Sequence, residues 1–76
     1  MREKIIELLE GINDEIVEDL NRDLLASGII DSYEIVNIVV ELEEALDIEI
    51  DPELVVPENF KTVNAIIKMV EGIVSQ

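Results

Sequence analysis

The chain has 76 residues, 19 of them acidic and five basic, no histidine, no cysteine and a formal net charge of −14. That excludes a disulfide framework and a cysteine–histidine zinc site, and it argues against nucleic acid or an anionic membrane as a partner, because both would repel such a surface. One small domain over residues 1–76 remains, with 49% hydrophobic residues but only Tyr33 and Phe60 aromatic, the composition of a helical domain packed with Ile, Leu and Val.

The first element is an amphipathic helix from Arg2 to Ile12. Ile5, Leu8, Leu9 and Ile12 fall at i, i+3, i+4 and i+7, and Gly11 and Asn13 are stop signals. Residues 14–31 read as a long, partly helical connection, broken at Ser27 and Gly28, whose Leu20, Leu24, Leu25, Ile29 and Ile30 tuck into the core. A second helix runs from Ser32 to about Leu46. Asp31 is its N-cap, and Glu34, three residues on, is placed to bond back to that cap. Its core stripe is Ile35, Ile38, Val39, Leu42 and Leu46, and its outer face holds Tyr33, Asn37, Val40, Glu41 and Glu44. Pro52 opens a short helix or turn over residues 52–56, which Pro57 ends. Thr62 caps a last helix with Val63, Ile66, Ile67, Val70 and Val74 at helical spacing. The expected fold class is all-α, a bundle of three substantial helices and a short one.

Catalysis is disfavoured, since the commonest general base and the most reactive nucleophile are both missing. Acids at Asp47, Glu49, Asp51, Glu53 and Glu58 mimic a calcium loop, but Pro52 stands where such a loop needs glycine, so no metal site is expected. Tyr33 and Val40 among carboxylates read either as a docking strip for a basic, partly apolar partner or as residues bordering the core. Ser32 is the first helical residue, beside a helix N-terminus that favours an attached phosphate. On physical grounds alone, a helix-start serine with no further role is the favoured reading.

At Gly28-Ile29-Ile30-Asp31-Ser32-Tyr33 the sequence resembles the Asp-Ser-Leu attachment motif of acyl carrier proteins. Glu41-Leu42-Glu43-Glu44-Ala45-Leu46-Asp47-Ile48-Glu49-Ile50 resembles the rest of that family's second helix and the loop after it. Pro57-Glu58-Asn59-Phe60-Lys61-Thr62-Val63 resembles the approach to its last helix. The resemblance implies a small bundle of the acyl-carrier type, and a holo-synthase (phosphopantetheinyl transferase) that attaches 4′-phosphopantetheine to Ser32. The thiol of that arm would hold acyl groups as thioesters for enzymes of fatty-acid, polyketide or related biosynthesis. The resemblance also implies that Asp31 helps to engage the synthase, and that Glu34, Glu41 and Glu44 meet basic patches on acyl-loading and acyl-processing enzymes. Ile35, Val39 and Ile66 would wall a groove for the bound chain.

Tyr33, Asn37 and Val40 depart from the fatty-acid pattern on the partner-facing side. The run Leu24-Leu25-Ala26-Ser27-Gly28-Ile29-Ile30-Asp31-Ser32 also resembles D-alanyl carrier proteins and stand-alone peptidyl or polyketide carriers, which points to a specialised carrier. The rival reading is a carrier-like bundle that binds basic proteins without modification. No apolar run reaches the roughly 18 residues of a membrane span, and Met1-Arg2-Glu3-Lys4 opens no signal peptide. A cytoplasmic location and a monomeric state are the expectations.

Overall fold

A computed structural model describes residues 1–75; Gln76, the last residue of the expected domain, lies outside them. Four α-helices form: α1 (Arg2–Ile12), α2 (Ser32–Leu46), α3 (Pro57–Phe60) and α4 (Val63–Val74). Two 3-10 turns, Asp14–Val17 and Pro52–Leu54, lie in the connections. The described residues contain no strand, so the fold is the small all-α bundle of the acyl-carrier type.

The core is one cluster that draws on every helix. Ile5 and Leu9 come from α1, Ile38 and Leu42 from α2, Phe60 from α3, and Val63, Ile66, Ile67, Met69 and Val70 from α4. Its largest fully buried side chain is Phe60. Leu24 and Ile30 of the first connection are buried with it, and Leu20, Leu25 and Ile29 pack partly buried against it, as their spacing suggested. Val74 departs from the predicted α4 stripe. As the last helical residue it is 46% exposed, and Ile73 packs against the core in its place.

The connection over residues 13–31 is partly helical, with the 3-10 turn Asp14–Val17, and specific bonds tie it to Lys61 after α3 and to α4. Asn13 ends α1 and accepts Glu15 N–H on its side chain, which starts the turn that buries Ile16. Leu24 N–H donates to Lys61 O at 2.7 Å, and Asn64 N–H donates to Leu20 O at 3.2 Å. The Asn64 side chain joins three segments: Nδ2 donates to Asn21 Oδ1 at 2.6 Å, and Oδ1 accepts from Arg2 Nη2 at 3.2 Å. Asp23 Oδ1 accepts Leu25 N–H and Ala26 N–H, ordering the turn that Gly28 leaves at φ 78°. That positive φ suits glycine. Ile30 N–H then donates back to Leu24 O, delivering the chain to the start of α2.

The second connection corrects the expectation around Pro57. Only residues 52–54 make a turn, with Asp51 Oδ1 accepting Glu53 N–H at 2.9 Å. Pro57 begins α3; it does not end a helix. The reason is that proline lacks an N–H that the first helical turn cannot use and has φ already set for the helix. α3 then places Phe60 in the core, and Thr62 Oγ1 caps α4 by accepting Ala65 N–H at 3.0 Å.

Candidate functional site

α2 begins where the first connection arrives, and its first turn assembles the candidate site. Asp31 has extended backbone, and its Oδ1 accepts Glu34 N–H at 3.0 Å. Its other carboxylate oxygen makes no hydrogen bond among the described residues. Ser32 follows as the first helical residue, exposed. Asp31 O accepts Ile35 N–H at 3.0 Å, whereas the N–H groups of Ser32 and Tyr33 have no acceptor among the described residues. An exposed hydroxyl beside free N–H groups at the positive end of a 15-residue helix suits a phosphodiester on Ser32 Oγ.

The expected capping box forms only in half. The Glu34 carboxylate does not return to the Asp31 N–H; its Oε2 is buried with no hydrogen-bond partner among the described residues. Glu34 is therefore half-buried and turned toward α1, not fully displayed on the outer face. Asp31 supplies the cap by itself.

The rest of the outer face is as the helical period placed it. Tyr33 is 79% exposed and Val40 45%, and Asn37, Glu41 and Glu44 are exposed. Sequence reasoning missed Val36, which is 59% exposed. The signal was available, because 33, 36 and 40 share the i, i+3, i+7 spacing of one helical stripe. Three apolar side chains thus lie in a row, bordered on one side by Asn37, Glu41 and Glu44. Glu43 was missed as well: its Oε2 accepts Ile50 N–H at 2.9 Å and ties the loop after α2 to the helix.

The residues expected to wall a chain-binding groove all lie at or against the core. Ile66 is fully buried, and Ile35 and Val39 pack partly buried against the core. Two surface clefts are lined by other residues. One of about 450 Å³ lies between α1 and α2, lined by Glu7, Gly11, Glu34, Asn37 and Glu41 among others. The other, of about 510 Å³, lies beside α4 with Leu54, Asn59, Lys68, Met69 and Ile73 in its wall.

The calcium-loop spacing has a local explanation, since Asp51 caps its own turn and Asp47 ends α2 with φ 53°. No three acidic residues among those described converge on a possible metal position. No described helix is long and apolar enough to cross a membrane.

Comparison with known proteins adds independent findings. The family model described as "Phosphopantetheine attachment site" matches residues 3–70. A D-alanyl carrier protein of Lactococcus lactis subsp. cremoris (strain MG1363) is 40% identical over 73 residues, covering 93% of this chain and 92% of that protein. Proteins of the same name from Lactococcus lactis subsp. lactis (strain IL1403) and Bacillus cereus (strain B4264) are 38% and 35% identical, each over more than nine-tenths of both chains. Nothing in these matches favours an unmodified interaction module. The chain therefore belongs to the acyl carrier protein family, whose members bear a covalently attached 4′-phosphopantetheine.

Proposed function

We propose that this chain is a D-alanyl carrier, with the arm on Ser32 and D-alanine held on the arm as a thioester. The observation that carries the reading is similarity to D-alanyl carrier proteins over nearly the full length of both partners.

Each side chain has a distinct part in this reading. The transferase joins Ser32 Oγ to the phosphorus of the pantetheine phosphate of coenzyme A. The bond from that phosphorus to adenosine bisphosphate breaks, and the hydroxyl proton passes to the transferase. Once attached, the group supplies the thiol that forms the thioester. Asp31 fixes the helix start, so the hydroxyl and the free N–H groups are presented together, and its second carboxylate oxygen remains for the transferase to engage. Tyr33, Val36 and Val40 provide an apolar contact strip, and Asn37, Glu41 and Glu44 its polar border, for enzymes whose docking surface is apolar inside a basic rim. The chain is not itself an enzyme in this scheme. It works as a single carrier unit in the cytoplasm.

Intact-protein mass spectrometry tests both levels. Incubation with coenzyme A, magnesium and a holo-synthase should add one phosphopantetheine, and Ser32→Ala should add none while keeping its helical circular dichroism. Arm attachment that persists in Ser32→Ala overturns the site. The loaded protein, offered to ATP-dependent ligases for D-alanine and for fatty acids, should accept D-alanine. Preferential fatty-acyl loading overturns the cargo.

A further inference from the structure

The segment over residues 20–24 is fastened to the corner between α3 and α4 at four points. Leu24 N–H donates to Lys61 O, Asn64 N–H donates to Leu20 O, and Asn64 Nδ2 donates to Asn21 Oδ1. The fourth is the ion pair of Lys61 Nζ with Asp23 Oδ2 at 3.8 Å. Leu24 passes the hold onward, because its O accepts Ile30 N–H, and Ile30 is the residue before the Asp31 cap. No hydrogen bond among the described residues joins α2 directly to α3 or α4. The hydrogen-bonded route from α4 to the candidate serine therefore runs through the first connection.

Asn64 is the centre of this fastening. Arg2 offers only donors, so the Asn64 amide must turn Oδ1 toward Arg2 Nη2, which leaves Nδ2 facing Asn21. Asn21 is held in turn, since its N–H donates to Asp19 Oδ1 at 3.0 Å. In the first turn of α4, Thr62 Oγ1 takes Ala65 N–H and Leu20 O takes Asn64 N–H, so the connection completes the cap of that helix. Between Ile16 and Leu24 no side chain is fully buried. Polar bonds, more than apolar burial, fix this stretch against α4.

We propose that Asn64 is a positioning residue for arm attachment at Ser32. It latches the first connection to α4, and the latched connection presents Asp31 and Ser32 to the transferase in one arrangement. A transferase that meets an unlatched connection has to order it on binding, and that ordering weakens association. The cost falls on binding and not on the transfer step, so it raises KM and leaves kcat unchanged. The role in attachment rests on the carrier reading; the latch itself does not.

Asn64→Ala, Asn21→Ala and Asn21→Asp test the latch, with Asn59→Ala as the matched control. Asn59 Nδ2 donates to Leu54 O at 2.7 Å in the second connection, which does not lead to Ser32. Asn64→Ala and Asn21→Ala should speed amide exchange at Leu24 and Ile30 about fivefold relative to Leu9 and Val70, the scale of one lost neutral hydrogen bond. The transferase KM should rise by a similar factor at unchanged kcat. Asn21→Asp keeps the acceptor and should restore both values at high salt, where its added charge is screened. Asn59→Ala should move neither. An equal rise in KM for Asn59→Ala would make the effect one of stability alone and overturn the positioning role. So would unaltered exchange and KM in Asn64→Ala and Asn21→Ala, or no rescue by Asn21→Asp. Absence of the arm on the unaltered chain, scored by intact mass, overturns the carrier reading instead, while exchange at Leu24 and Ile30 still reports on the latch.

Discussion

α4 and α2 are built from similar residues and are used differently. α4 has 12 residues and buries five of them, with Thr62 as its cap and only Glu71 as an acid. α2 has 15 residues and buries two, while Tyr33, Val36 and Val40 remain in solvent. A helix that served only the core would turn such side chains inward or replace them with polar ones. The difference separates a helix that holds the bundle together from one that displays a surface. The modified end belongs to the second.

The comparison breaks most readily at its extremes. Ile66→Ala in α4 should cost about 2–5 kcal/mol, because a fully buried side chain leaves a cavity that its neighbours fill only in part. Val36→Ala in α2 should change stability by less than about 0.5 kcal/mol and weaken partner association instead. Urea unfolding and a binding assay on both variants measure the contrast. Equal stability losses would mean that α2 is not a display helix.

A smaller effect is expected at the start of α2. Asp31→Ala removes the only side-chain cap found there and should destabilise by about 1 kcal/mol. Because Glu34 does not share the capping, Glu34→Gln should leave thermal stability nearly unaltered. A larger loss in Glu34→Gln than in Asp31→Ala would show that the capping order is reversed in solution.

The smallest and broadest effect concerns charge. Among the described residues, only two ion pairs form, at 3.9 and 3.8 Å, both partly exposed and weak. Nearly all the acids therefore repel one another across a molecule whose longest axis is 31 Å. At about 0.01 M salt the screening length is about 30 Å, comparable to that axis, and at about 1 M it is about 3 Å. Added salt should raise the melting temperature, and amide exchange should slow more along α2, where four glutamates lie, than along α4. A melting temperature independent of ionic strength would remove repulsion as a factor.

The reach of the sequence differs by element. α1, α2 and α4 were legible because each repeats its apolar residues at the helical period over at least three turns, with Asn13, Asp31 and Thr62 as boundary residues. The region around Pro57 was misread because proline marks both helix ends and helix beginnings, and a four-residue helix has too little periodicity to arbitrate. Glu34 was misread because a capping box is a local pattern, and the packing of α1 against α2 decided where its side chain went. Val36 was missed because an apolar residue next to the core residue Ile35 is ordinarily assigned to the interior, although its spacing with Tyr33 and Val40 places it outside.

The sequence alone determined the helical class, the acidity, the caps and the candidate serine, because all of these rest on interactions within a few residues or on composition. The tertiary structure decided the rest. It showed Asn64 joining Arg2, Asn21 and α4, Phe60 filling the core, and Glu34 half-buried toward α1 and not returned to its cap. These depend on which helix faces lie against each other, and local periodicity carries no information about that choice.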